Sequence, residues 1–259
     1  MHLTLFRAAR AWLDVNHPNI ARLLEVGEHD GRLFVVQRYI EGTPLLESVK
    51  RSQMPSVDAL AWMRDLASAL AYLHRRGIVH GNLSPAALIV DLAGRICVVY
   101  LPLDRPVNGN VVDADAVRYA SPERLAGASV GAGSDIFVFG AILDEVPIGR
   151  PAFPGNDVPQ IIRAILDAPP ELSHGSPPLN ASLVRLIEGC LQGHPGQRYQ
   201  DIDPVVKRLD VAQRAGRVGP AVRAGHPRAR APARRAPGGY RPSHGRMDGA
   251  TAPRGVSVG

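Results

Sequence analysis

Tyr72-Leu73-His74, followed by His80-Gly81-Asn82-Leu83-Ser84-Pro85, is the stretch on which the reading of this chain turns. To its left, Val57, Leu60, Met63, Leu66, Leu70 and Leu73 recur at helical spacing. With Ser56 as N-cap and Gly77 as stop, they predict a long amphipathic helix over 56–76. To its right, Ala87–Val90 and Ile96–Val99 are short apolar segments divided by the turn Leu92-Ala93-Gly94. Ile78–His80 is a third such segment. The string His80–Pro85 is therefore a polar loop between a long helix and short strands.

Working outward, Leu5, Phe6, Ala9, Trp12 and Leu13 predict a helix over 3–15, stopped by Asn16-His17-Pro18. Strands are predicted around Arg22–Val26 and Leu33–Gln37, joined at the hairpin signal His29-Asp30-Gly31. Residues 100–121 read as a loop. Helices return at about 134–146, 157–167, 180–192 and 202–214. The order is a few strands and one helix, then a mostly helical body. No internal repeat is visible.

The net charge of +6 conceals two regions. Residues 211–259 hold ten arginines against one acid, Asp248, which leaves residues 1–210 at −3. Beyond about 215 the periodicity stops and Arg, Pro, Gly and Ala dominate, a composition with too little apolar surface to repay ordering. Cys97 and Cys190 are too few for a disulfide framework, and the nine histidines lack ligand spacing. No apolar run is long enough to span a membrane, and the amino terminus lacks the regions of a signal peptide, so a cytoplasmic location is expected.

Six strings, in order, resemble the bacterial Ser/Thr protein kinases of eukaryotic type. Asn16-His17-Pro18-Asn19-Ile20 resembles the link between the N-lobe helix and the next strand, and Arg38-Tyr39-Ile40-Glu41-Gly42 the hinge between lobes. The opening string resembles the catalytic loop, and Tyr119-Ala120-Ser121-Pro122-Glu123 the end of the activation segment. Ser134-Asp135-Ile136-Phe137-Val138-Phe139-Gly140 resembles the central C-lobe helix, and His194-Pro195-Gly196-Gln197-Arg198-Tyr199 carries the late arginine. Small-molecule phosphotransferases use a similar His-Gly-Asp loop, but the segments at 119–123 and 134–140 favour the protein-kinase branch. The resemblance implies an α+β fold with an incomplete small N-lobe (one helix plus short antiparallel strands) over 1–40 and a mainly helical C-lobe over 41–212. A disordered basic tail is expected over 213–259.

Phosphoryl transfer needs a nucleotide held by its phosphates, bridging metal ions and a carboxylate that orients the attacking hydroxyl. The resemblance gives each role an address, and the chemistry is missing at each. The Gly-rich loop and nucleotide lysine fall upstream of residue 1, and the glutamate partner of that lysine falls on Ala8. The catalytic Asp position is Asn82, whose neutral amide is a very poor proton acceptor. The following lysine is Ser84, the metal-binding Asn is Ala87, and the Asp-Phe-Gly triplet falls on Tyr100-Leu101-Pro102. The arginine that receives an activation-loop phosphate is Gly81, and no Ser or Thr lies between Tyr100 and Ala120. Asp91, Asp104, Asp113 and Asp115 are the nearby carboxylates that could substitute.

The scaffold positions remain. His80 is implied to pack under the site, Asp135 to bind the loop backbone, and Glu123 and Arg198 to form a buried ion pair. Gln37, Arg38, Tyr39, Ile40 and Ile89 are the implied hinge and adenine-pocket residues. A decaying reading frame would lose scaffold and chemistry alike. The resulting expectation is a pseudokinase that binds protein, with no metal or cofactor required and weak metal-independent ATP binding left open. An atypical active kinase is the alternative. A second alternative rests on the tail, whose arginines suit salt-sensitive contact with nucleic acid or anionic lipid. An N-lobe of one helix and two strands leaves an edge and an apolar face, so Leu3, Phe6 and Trp12 are expected to need a partner chain, a dimer mate or the missing upstream strands.

Overall fold

The helix Ser56–His74 forms the floor of the molecule. Alanine and leucine supply most of its interior, residue types that lose little on entering a helix. Met63, Leu66, Leu70 and Leu73 are wholly buried. It stops where expected: Gly77 takes φ +67°, its N–H donates to His74 O at 2.9 Å, and Ile78 N–H reaches back to Leu73 O at 3.0 Å. That pairing is a Schellman cap, which an L-residue with a side chain accepts only under strain at the Gly77 position. In this computed structural model, residues 9–30, 32–52, 56–99, 114–167 and 181–217 are described.

The floor packs against the central helix Ala132–Ile148 and the last helix, Asp203–Arg217. The central helix is apolar around its circumference, from Ile136 to Val146, and is buried accordingly. Gly140 allows Ala181–Cys190 to approach it closely, since a Cβ there would fall 2.6 Å from Cys190 Cβ. Both cysteines are free and buried. Burial pushes the Cys190 thiol up to about 12 and the Cys97 thiol up to about 11.

Strands lie in two small sheets. Leu23–His29 and Arg32–Gln37 form an antiparallel hairpin in which Val26 faces Val35. The turn residue Asp30 takes φ 49°, a conformation Asp tolerates better than most residues. Gly42–Pro44, Leu88–Asp91 and Ile96–Val98 form a three-stranded antiparallel sheet in that order. Asp91 staples its tight turn, accepting the N–H groups of Ala93 and Arg95 at 2.9 Å each.

Several expectations change. Trp12 needs no partner chain: it is 4% exposed, and its ring meets the His80 imidazole edge-on at 5.8 Å. Leu3 and Phe6 lie outside the described residues, and the described part of the first helix ends at Ala11. Ile78–His80 pairs with no strand among the described residues. The stretch read as loop over 100–121 contains the short helix Ala114–Arg118. The last helix runs to Arg217, past the boundary drawn at 212. The remainder of the tail lies outside the described residues.

One buried group is poorly accommodated. Asp144 lies within the apolar run of the central helix, is 1% exposed, and its Oδ1 has no hydrogen-bond partner among the described residues. Burial pushes its carboxyl up to about 6; Arg150 opposes the rise and Glu145 adds to it. A raised folded-state value means the stability contribution is complete below about 3.8 and is lost as pH rises through about 6. Asp144→Asn, which mimics the protonated side chain, is expected to stabilise the fold by about 2 kcal/mol at pH 8. Thermal melts should show that gain shrinking towards pH 4; a pH-independent difference would contradict the assignment.

Candidate functional site

The loop His80–Pro85 hangs from the central helix by one side chain. Asp135, 1% exposed, accepts the His80 N–H on Oδ2 at 2.8 Å and the Gly81 N–H on Oδ1 at 2.7 Å. His74 Nε2 lies 2.8 Å from the same Oδ2, tying the end of the floor helix to this point. Gly81 occupies the left-handed region at φ +69°, which glycine adopts without a Cβ penalty. Its carbonyl accepts a hydrogen bond from the Arg124 guanidinium. The loop is thus gripped on its N–H side by Asp135 and on its C=O side by Arg124.

Beyond that grip the side chains change character. Asn82 is exposed, and Ser84 is half-buried in extended conformation (φ −161°, ψ 163°). Ala87 is buried in the short 3-10 turn Pro85–Ala87, where its N–H donates to Ser84 O and its C=O accepts from Val99 N–H at 2.9 Å. These three positions present an amide, a hydroxyl and a methyl group. Tyr100, Leu101, Pro102 and Ala8 lie outside the described residues, as do Asp104 and Asp113. Asp91 is committed to its turn, where Arg95 also chelates it at 2.8 and 3.2 Å. Asp115 sits on the separate helix Ala114–Arg118. Among the described residues, no group of three or more His, Cys, Asp or Glu side chains is arranged to hold a metal ion.

The hinge residues divide. Ile40 and Ile89 come together against buried Ala21, Cys97 and Val99, forming a small apolar cluster of their own. Tyr39 does not join them and is 85% exposed. Gln37 ends its strand half-buried. Arg38 is exposed, its backbone N–H donating to Arg22 O at 2.8 Å.

Glu123 and Arg198 form the implied ion pair. Arg198 Nη1 and Nη2 each lie 2.8 Å from one Glu123 oxygen, and the arginine side chain is fully buried. The remaining donors reach Gln192 O, Gly133 O and Gly193 O at 2.7–2.9 Å, so all five N–H groups are used. Ser134 Oγ adds a hydrogen bond to Glu123 at 2.5 Å. Burial alone would raise the Glu123 carboxyl, but the bonds from Arg198 and Ser134 outweigh it and hold it at about 2.

Motif reading missed three features here: the Arg124 grip on Gly81, the His74 contact with Asp135, and the hydrogen bond from Tyr119 Oη to Glu145 Oε2 at 2.5 Å. A signal for the last was present, because Asp144-Glu145 interrupts an apolar helix.

The family model for the protein kinase domain matches residues 4–207. The chain is 27% identical over 219 residues to the serine/threonine-protein kinase PrkC of Bacillus subtilis, covering 82% of this chain and 34% of that protein. It is 29% identical over 214 residues to the serine/threonine-protein kinase PknB of Mycobacterium tuberculosis, covering 77% and 34%. It is also 29% identical over 206 residues to the CBL-interacting serine/threonine-protein kinase 21 of Arabidopsis thaliana, covering 78% and 49%. The chain therefore spans about a third of the length of its bacterial relatives. With a loop suspended from Asp135 and a bidentate Glu123–Arg198 pair in its scaffold, this chain belongs to the protein kinase domain family.

Proposed function

We propose that this chain is a pseudokinase: a kinase-fold module that binds protein and does not transfer phosphate. The observation that carries the reading is Asn82, an exposed neutral amide at the catalytic-base position of a loop whose backbone Asp135 holds at His80 and Gly81. A carboxylate there would orient and deprotonate a hydroxyl; an amide oxygen has almost no proton affinity at neutral pH. Ser84 offers no cation for the transferring phosphate, and the Ala87 methyl cannot ligate magnesium. The side chains at Asn82, Ser84 and Ala87 do not fit a nucleotide–magnesium complex.

The arrangement of what is kept supports a folded binding module. Asp135, His80, Glu123 and Arg198 are all engaged in buried contacts. Thermal shift with ATP, with and without magnesium, followed by labelled-phosphate transfer to a generic protein substrate, tests the reading. The expected result is no magnesium-dependent stabilisation and no transfer. Asn82→Asp is expected to remain inactive, because the restored carboxylate has neither metal nor lysine beside it. Magnesium-dependent stabilisation together with transfer by the wild-type chain would overturn the proposal.

A further inference from the structure

The helices Ala181–Cys190 and Asp203–Arg217 pack on one another, burying Leu183 and Leu186 of the first and Val205 and Leu209 of the second. Their outer faces enclose a groove of about 560 Å³, within the size range of sites that hold a compact ligand. Leu183 and Leu186 line it from one helix and Val211, 67% exposed, from the other. Arg185, Lys207 and Arg208 line it as well, so an apolar strip lies among three cations. Arg185 and Lys207 are exposed, and their side chains make no ion pair or hydrogen bond among the described residues. Arg208 donates to the Tyr199 hydroxyl and lies 5.2 Å from the centre of that ring. None of the nearby acids lines the groove. Asp203 and Asp210 share a helix with Lys207 but lie against the helix Ser56–His74, 3.0 Å from Arg75 and 4.0 Å from Arg64. Glu188, one turn beyond Arg185, is exposed outside it.

We propose that this groove is a docking site for an acidic segment of a partner protein that carries one or two large apolar side chains. The apolar side chains would lie on Leu183, Leu186 and Val211, and carboxylates before and after them would meet Arg185, Lys207 and Arg208. Charge complementarity selects that occupant. A second copy presenting the same groove would set cations against cations. The chain's own carboxy-terminal region, ten arginines against Asp248 over 211–259, carries the same sign of charge and is repelled. Nucleic acid suits the groove less well, because no aromatic side chain lines it among the described residues to stack on a base. This inference rests on the binding-module reading and supplies the chemistry of its partner.

The test uses the full chain and the labelled peptide Glu-Asp-Phe-Leu-Asp-Glu, followed by fluorescence anisotropy, with a control in which two serines replace Phe-Leu at equal charge. The apolar peptide is expected to bind saturably, about tenfold tighter than the control. Arg185→Gln/Lys207→Gln is expected to weaken it about tenfold at unchanged melting temperature, since both side chains are exposed and unpaired among the described residues. Equal affinity for both peptides, or no binding up to about 1 mM, overturns the proposal. Affinity that the double variant leaves intact also overturns it, by assigning the peptide to the tail arginines. A single-stranded oligonucleotide that competes as well as unlabelled peptide overturns it in favour of nucleic acid. A dimer in sedimentation that the double variant abolishes does so in favour of a second copy. Glu171 and Leu172, outside the described residues, are an acid beside an apolar residue in this chain's own sequence. Tighter peptide binding by Glu171→Lys/Leu172→Ser would assign the groove to that segment and overturn the proposal. Phosphate transfer by the wild-type chain would sink the pseudokinase reading while leaving this groove chemistry standing, so the two failures are distinguishable.

Discussion

Arg198→Ala is expected to lower the melting temperature by about 10 °C or more, corresponding to roughly 3–5 kcal/mol. The guanidinium has no exposed surface and places all five of its donors on protein acceptors. Truncation leaves the Glu123 carboxylate without its counter-ion and strips a donor from three carbonyls, and unsatisfied buried groups are where mutational losses become large. Arg198→Lys should recover little, because an ammonium has three donors and cannot match a planar fork. Asn82→Ala, at an exposed position a few residues from the same scaffold, is expected to leave the melting temperature almost unchanged. The pH dependence has a definite sign. The Glu123 value is depressed from 4.5 to about 2, so the pair's contribution is present above 4.5 and is lost as pH falls through about 2. Equal, small effects of Arg198→Ala and Asn82→Ala would remove the case for a retained scaffold.

The second large effect belongs to Asp135→Ala. Its carboxylate accepts two consecutive backbone N–H groups and contacts His74, all in a buried setting. Hydrogen bonds to a charged acceptor are stronger than neutral ones, and the loss is expected to be about 3 kcal/mol or more. Asp135→Asn should recover only part of it, since an amide presents one acceptor and turns an NH2 group towards the second backbone N–H. Thermal melts give the global loss. Amide exchange at His80 and Gly81 gives the local one, expected to rise before the rest of the body opens. Unchanged protection of those two amides in Asp135→Ala would mean that the loop is held by other contacts.

Much of this was legible in the sequence because its two kinds of signal are local. Period-3.6 spacing marked Ser56–His74 and the later helices to within a few residues, and short strings marked Asp135, Glu123 and Arg198. The last two are 75 positions apart, and only the motif context, not any periodicity, linked them. What was missed depends on tertiary placement. Trp12 is apolar in any reading, but nothing local says that His80 covers it. Gly42–Pro44 is a poor strand by composition and exists because Leu88–Asp91 pairs with it. Ala114–Arg118 is too short for periodicity to register. Arg124 looked like any surface arginine, yet it caps the carbonyl of the loop whose N–H groups Asp135 holds.

The two cysteines have a use that follows from where they sit. Cys97 belongs to the middle residues of an edge strand in the three-stranded sheet, and Cys190 closes a helix against Gly140 in the helical body. Both thiols are buried and held well above neutral pH in their ionisation, so an alkylating reagent meets a reactive thiolate only after local or global opening. The chain therefore carries two built-in clocks, one in the small sheet and one in the body. The ratio of their labelling rates in the native state measures whether the two regions breathe together or apart.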